Sequence, residues 1–568
     1  MPAGTEHYVP LPGSQRTPVP GARVVAPPHP DEPVEITVKL RPRNPLPDDA
    51  AVEAIGMDTG KAPALSREQY ASQYGAADED IRKVTSFAAT HGLEVVSADA
   101  ATRSVVLSGP VSAMNEAFDV KLMCYSHPSG GQYRGRVGPV HVPEDLAGII
   151  EGVFGLDNRP QAHRHLMFRP LPPEITHAAA ARPWFTPLEL GHIYDFPAAT
   201  GAGQCVGILE FGGGFNTNDL STYWHGLGVT PTPKVVAVPV GSARNNPGTD
   251  PDSDGEVMLD IEVVGALAPG ATIAVYFSHF TERGWIDALN AAVHDTAHKP
   301  TVLSVSWGFA EGHDTWTAAA MNAVHDTLKS AALLGLTIFV ASGDDGSSDD
   351  IADGHAHVDF PAADPFAIGV GGTTLVATPD RSAIASESVW NGGPRATAGG
   401  AGGGGVSEFF ALPTFQQGIR VPASVNPGHK VGRGVPDVAA NADPQTGYYV
   451  RTGGKNGVIG GTSAAAPLWA ALVARINSTT PHPLGYFTPK LYQLMSGSTR
   501  TTALHDVTKG NNDPTGHVGG YPASAGWDAC TGWGTPDGAR LRDALVGPVA
   551  SAPKTTIAEQ SAKPMMRS

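Results

Sequence analysis

The sequence predicts a mixed α/β protein in which a parallel sheet is covered by helices on both faces and preceded by a smaller α+β domain. Three observations predict it. Four apolar, β-branched runs, CVGILE (205–210), TIAVYF (272–277), TVLSV (301–305) and LTIFVA (336–341), each lead into glycine or a polar cluster. Amphipathic helical patterns, such as 285–296 and 316–335, lie between them. Near-continuous apolar strands alternating with helices mark a sheet buried on both sides. Finally, residues 34–158 switch between strand and helix periodicity in the order β-α-β-β-α-β, the split βαβ arrangement. A chain of 568 residues is also too long for one core.

In chain order, residues 1–33 are rich in proline and polar residues and are expected to form a disordered lead. VEITVKL (34–40) alternates apolar and polar positions as a half-buried strand does. EDIRKVTSFAATHG (79–92) reads as a helix ended by Gly92. LEVVSAD (93–99) and SVVLSG (104–109) read as strands, VSAMNEAFD (111–119) as a helix and VKLMCYSH (120–127) as the fourth strand. An amphipathic segment, 142–158, closes this first domain at 34–158. Residues 159–188 combine proline, arginine and histidine with a small-residue run, and read as an extended, exposed connection whose linker proper is 159–180. The second domain is expected over 181–548, with a disordered tail at 549–568.

Composition narrows the function. A net charge of −17 argues against nucleic acid and against anionic membranes. That charge comes from carboxylates and would largely vanish in acid, while only 38 lysines and arginines would then repel one another. Cys124, Cys205 and Cys530 are widely spaced, without a CxxC pair, so neither a disulfide framework nor a zinc site is supported. The longest apolar stretch, 331–341, is far too short to span a bilayer, and the N-terminus lacks an ordinary secretion signal. GGAGGGGVS (399–407) has no GK[ST] after it, and GGKNG (453–457) has no hydroxyl residue after its lysine. A close backbone approach, such as a groove wall, fits these glycines better than a phosphate loop.

The chemistry concentrates in two motifs. In GVIGGTSAAAPLWAAL (457–472), Ser463 stands where a strand, a tight turn and a helix meet. There it is either a nucleophile beside the positive end of a helix or part of a Thr/Ser helix cap. In DGEVMLDIEVVGALAPGA (254–271), Glu256 and Asp260 are four apart and project from one helix face. Two carboxylates in one place repel, so one holds its proton to higher pH and can act as base and then acid. The carboxyl ends of the predicted strands add Glu210, Trp307 and Asp344.

GTSAAAP, GEVMLDIEVVGALAPGA, LSVSWG and ASGDDG together resemble the sedolisin family of serine-carboxyl peptidases, the kumamolisins most closely, over roughly 34–548. None of the 21 histidines stands in an HGTHV-like context of the kind subtilisins use. The resemblance implies a subtilisin-like fold behind a ferredoxin-like prodomain that inhibits the enzyme and assists its folding. It implies a zymogen that cuts its own linker and becomes an acid-active endopeptidase acting through an acyl-enzyme. Ser463 would be the nucleophile, Glu256 the base and Asp260 its orienting carboxylate. Asp344 would be an oxyanion donor, which requires it to be protonated. Asp345 is its immediate competitor for that role. Glu210 and Trp307 match a network that extends from the base. Asp359 matches a position that would favour Arg or Lys before the scissile bond if it were ionised and exposed. One structural calcium ion is implied, held by the Asp506 and Asp528 side chains and the Val507, Ser524 and Gly526 carbonyls, with Asp513 as a nearby alternative ligand. Protein and peptide substrates, secretion and a monomer are expected. Two rivals are a catalytically silent peptidase-like binding protein and a carboxylate-pair glycosidase in which Ser463 is incidental.

Overall fold

The computed structural model describes residues 7–547 except 129, 162, 165, 171–181, 313–314, 398 and 498–501. The expected tail, the first six residues of the lead and the 171–180 part of the linker lie outside the described residues.

In the first domain four antiparallel strands lie in the order Glu94–Asp99, Ser104–Pro110, Pro33–Leu40, Ile150–Phe154. Val34, Ile36, Val38 and Leu40 point into a core shared with Val84 and Phe87 of the helix Asp78–Thr90 and Met114 of the helix Val111–Ala117. Two expectations are corrected here. The fourth strand of the sheet is Ile150–Phe154, inside the segment read as amphipathic, because Ile150, Val153 and Phe154 bury against the outer side of Pro33–Leu40. The VKLMCYSH region supplies Met123–Ser126, which leaves this sheet to pair with Arg23–Ala26 and Gln132–Gly135.

The lead is also ordered over its described residues. Tyr8–Pro10 pairs with His141–Pro143 and Arg23–Ala26 with Met123–Ser126, so neighbouring strands satisfy its backbone groups. Between those strands Arg16 is buried and reaches the second domain, donating to Thr315 O (2.8 Å) and pairing with Glu282 (3.2 Å). Composition does not reveal this, because the ordering groups lie on distant segments. Helices Asp49–Ile55 and Arg67–Tyr74, capped by Asp48 and Ser66, occupy a stretch where the sequence reading placed no element.

In the second domain the eight-stranded sheet runs Lys234–Pro239, Thr272–Phe277, Cys205–Glu210, Val302–Val305, Thr337–Ala341, Ile368–Ala377, Ile384–Val389, with Val438–Asn441 also on Ile368–Ala377. All pairings are parallel except that with Ile384–Val389. Alternate residues of one run serve two cores. Val206, Ile208, Ile273 and Val275 pack with the helices Pro251–Leu267 and Thr462–Asn477, whereas Leu209, Ala274, Tyr276, Leu303 and Val305 pack with Glu282–Val293 and Ala318–Leu333. That double use is why the strands read as continuously apolar. Each fully buried aliphatic side chain contributes about 1.5–3 kcal/mol.

The first domain docks on the outer surface of Glu282–Val293 and Ala318–Leu333. Thr37 donates to Asp287 (2.9 Å), Arg103 pairs with Asp326 and Glu151 (each 2.9 Å), and Lys39 donates to Asn290 (3.2 Å). Burial, reinforced by the Arg103 charge, lowers the Lys39 ammonium to about 7. Asp49 pairs with His325 and Lys329, and these partners hold its carboxyl below the usual range.

Candidate active site

Three strand ends and two helices converge at one end of the sheet. The helix Pro251–Leu267 begins with Asp250 accepting from Ser253 N–H and with Pro251 in the first turn, where no N–H is needed. From Gly255 to Leu267 every residue is buried, so Glu256 and Asp260 are enclosed and not part of a solvated acidic face. Glu210 closes Cys205–Glu210 and accepts from Trp307 Nε1 at 3.0 Å. Burial first, and the neighbouring Glu256 charge second, raise the Glu210 carboxyl well above its ordinary range. Burial, and then the Glu210 charge, likewise raise Asp260, against the hydrogen bond from Ser306.

Ser463 is the second residue of Thr462–Asn477, behind Gly461 at φ +127°, a backbone that a side chain would strain. The helix start carries no side-chain cap, which removes the capping reading. Ser463 Oγ donates to Ser306 O at 3.1 Å, and Thr462 donates from N–H (2.8 Å) and Oγ1 (2.9 Å) to Asp344 Oδ1. Pro467 has no N–H to give the Ser463 carbonyl one turn back. Ser306 Oγ fills that role at 3.2 Å while also reaching Asp260 Oδ1 at 2.9 Å. Ser306 thus ties the helix of Ser463 to the Asp260 side chain. Sequence reasoning missed it, although its place one residue before Trp307 was the available signal.

Glu210, Glu256, Asp260, Trp307, Asp344 and Ser463 are all buried: Glu210 meets Trp307 and feels Glu256, Asp260 reaches the Ser463 helix through Ser306, and Asp344 meets Thr462. Asp344 and Asp345 are separated by their partners: Asp344 meets Thr462, beside the serine, whereas Asp345 pairs with Arg395 at 3.0 Å. The glycines of 399–405 do form a close wall: Gly403 N–H donates to Gly343 O (2.8 Å), and a Cβ on Gly403 would lie 1.9 Å from Ser342 O.

Asp359 is buried, packed so closely under Gly308 that a Cβ there would lie 1.9 Å from its Oδ1. Burial and the Asp344 charge raise its carboxyl well above the usual range.

The linker enters the site. His163–Arg164 pairs antiparallel with Gly308 and Trp307, and Met167–Pro170 pairs antiparallel with Gly460 back to Gly457. One paired stretch of the linker therefore lies against the strand that follows Ser306, and the other against the strand that leads into Ser463. The linker is extended, as expected, but it is bound by backbone pairing and does not merely span solvent.

Away from the cleft, Asp506 accepts from Gly526 N–H (2.9 Å), and Asp528 accepts from Ser524 N–H (3.0 Å), Cys530 N–H and Thr531 N–H. One turn thus holds both carboxylates. Burial raises the Asp528 carboxyl to about 6. Val507 is buried beside Asp506. Asp513 spends both oxygens on the N–H groups of its own loop, at Thr515, Gly516 and Gly519. Among the described residues, no group of three or more His, Cys, Asp or Glu side chains is placed to hold a metal.

Comparison with known proteins follows the same outline. Residues 20–159 match the family described as "Pro-kumamolisin, activation domain", and 222–534 match the "Subtilase family". Kumamolisin from Bacillus sp. (strain MN-32) is 47% identical over 542 residues, covering 94% of this chain and 96% of that one. Sedolisin from Pseudomonas sp. (strain 101) is 31% identical over 490 residues, covering 84% and 81%. A solved structure of Pseudomonas sedolisin, a serine-carboxyl proteinase complexed with two molecules of pseudo-iodotyrostatin, superposes with a TM-score of 0.57 at 31% identity, covering 65% of this chain and all of that one.

Proposed function

The chain belongs to the sedolisin family of serine-carboxyl peptidases and carries an activation prodomain; from that premise we propose that it is an acid-active endopeptidase made as a self-processing zymogen. Ser463 attacks the peptide carbonyl, Glu256 takes the hydroxyl proton and returns it to the leaving amine, and water then releases the acyl group. Asp260, tied through Ser306 to the serine's helix, orients the base. Neutral Asp344 donates to the developing oxyanion, joined by Ser463 N–H, a first-turn donor with no acceptor inside its helix. Glu210, held by Trp307 and kept neutral by burial, is the inner neighbour of Glu256.

The linker pairing carries this reading. A cleft that holds chain on both sides of Ser463 suits cutting inside a chain better than removal of short terminal peptides. Its register also points to the bond cut. Arg164 pairs with Trp307, next to Ser306, whose carbonyl Ser463 Oγ touches, and Met167 pairs with Gly460, three residues before Ser463. The bond offered is then the one on the amino side of Leu166. Full-length protein incubated at about pH 4 should lose the segment ahead of Leu166 and gain activity on casein, while remaining intact at pH 7. Intact mass and an activity assay check this, and equal processing at both pH values would defeat the acid reading.

One calcium ion would sit at the Asp506–Asp528 turn. Both side chains are hard oxygen donors, and the carbonyls of Val507, Ser524 and Gly526 would complete its shell. When bound, the ion would supply positive charge against the buried Asp528 carboxylate. A chelator should lower the unfolding temperature by about 5 °C or more, as expected for loss of a ligand that binds only the folded state. An unchanged melt would remove calcium from this reading. Protein substrates, a monomer and secretion into an acidic medium complete the proposal.

A further inference from the structure

We infer that Arg395 is a leaving-side positioning residue, holding the carbonyl of the residue that follows the scissile bond. The inference rests on the peptidase reading, with the chain's own linker standing in for substrate. Arg395 Nη2 donates to Leu166 O at 3.1 Å, and its Nη1 donates to Asp345 Oδ2 at 3.0 Å. Leu166 lies between the two paired stretches of the linker, and its side chain packs against the main core.

The arm that presents Arg395 is built for the purpose. Residues 390–402 leave and rejoin the sheet end through Trp390 N–H to Gly372 O (3.1 Å) and Gly402 N–H to Trp390 O (3.0 Å). Across the arm, Gly392 N–H donates to Gly400 O (2.8 Å) and Gly400 N–H to Gly393 O (2.7 Å). Its far limb is fastened to the oxyanion segment, with Ala401 N–H on Asp344 O (2.9 Å) and Gly346 N–H on Ala401 O (3.0 Å). The guanidinium is therefore anchored by backbone to residues 344–346 and by ion pair to Asp345. A planar fork with two directions of donation suits a residue that must hold a carboxylate and a carbonyl together. Asp345, the unused member of the Asp344–Asp345 pair, thereby acquires a role: it orients the arginine.

A peptide substrate has a carbonyl on the residue after the cut, whereas an anilide of the same acyl sequence has none. Arg395 would then assist the first and have nothing to hold on the second. The measurement is kcat/KM at acid pH for a peptide extended three residues past the cut, divided by kcat/KM for the matching p-nitroanilide. Both are read on one preparation after linker cleavage has run to completion, so the ratio does not depend on the folded fraction. Loss of a hydrogen bond from a charged donor predicts a fall of about tenfold in this ratio for Arg395→Met. Arg395→Lys, which keeps a donor, should recover part of it, and Asp345→Asn should lower it in the same direction. An unchanged ratio in Arg395→Met, whether the two rates fall together or not at all, would overturn the inference and leave the peptidase reading intact. If the unmodified protein cuts neither substrate, the peptidase reading itself falls.

Discussion

Ser463→Ala should leave the full-length chain uncut at pH 4 and lower peptide cleavage by about 10⁴-fold or more, the scale of loss seen when a serine nucleophile is removed. The result would speak to chemistry and not to folding. Ser463 Oγ makes a hydrogen bond to Ser306 O, and a bond of this kind is worth about 0.5–1.5 kcal/mol. The Asp344–Thr462 contacts and the apolar helix behind the serine do not involve that oxygen. The variant should therefore melt within a few degrees of the unmodified protein and still carry its linker. Intact mass after acid incubation, with a melt on the same sample, separates the two effects. A Ser463→Ala chain that trims itself at the ordinary rate would transfer the chemistry to the carboxylates and end the serine-led mechanism.

The second large effect is on stability against pH, best read on that same variant because it does not digest itself. Glu210, Asp260, Glu262 and Asp359 all have carboxyls raised well above their ordinary range, in each case chiefly by burial. A carboxyl whose folded pKa is raised contributes stability that is fully present below the unfolded value, near pH 4, and lost as pH climbs through the folded value. Each pH unit separating the folded from the unfolded value is worth about 1.4 kcal/mol, and each kcal/mol moves the melt of a domain this size by about 1–2 °C. The larger domain should therefore melt several degrees lower at pH 8 than at pH 4. Two groups of the first domain have the opposite sign. Asp157 is lowered despite its burial, because Arg159 bonds it, and Asp49 is lowered by His325 and Lys329. Their contribution is present at neutral pH and lost as pH falls. Acid should thus firm the second domain while loosening the docking of the first. Calorimetry between pH 4 and 8 checks the sign, and a second-domain transition that is flat or rises with pH would contradict it.

Which parts of this were readable in advance follows from where the information lies. The parallel strands announce themselves because both faces are buried, and the i, i+4 spacing of Glu256 and Asp260 is a local property of one helix. Residues whose roles depend on distant partners stayed silent. Ser306 matters through Asp260 and the Ser463 carbonyl, and Arg395 through Asp345 and Leu166. The order of the lead is hidden for the same reason: its proline-rich composition suggests disorder, while its order comes from strands about a hundred residues on. The strand Ile150–Phe154 is hidden by an apolar run too short for periodicity to separate helix from strand.

The proposed chemical groups come from separate stations along the chain: residue 210, then 256 and 260, then 307 and 344, and lastly 463. They share only the end of a sheet whose parallel strands must cross over one another's helices before they can pair. A chain still emerging from the ribosome therefore owns no cutting site, because the serine is made after nearly everything that would activate it. Nascent neighbours are safe from one another during biosynthesis, and destructive capacity arises only with the finished molecule, which arrives with its own linker already in the cleft.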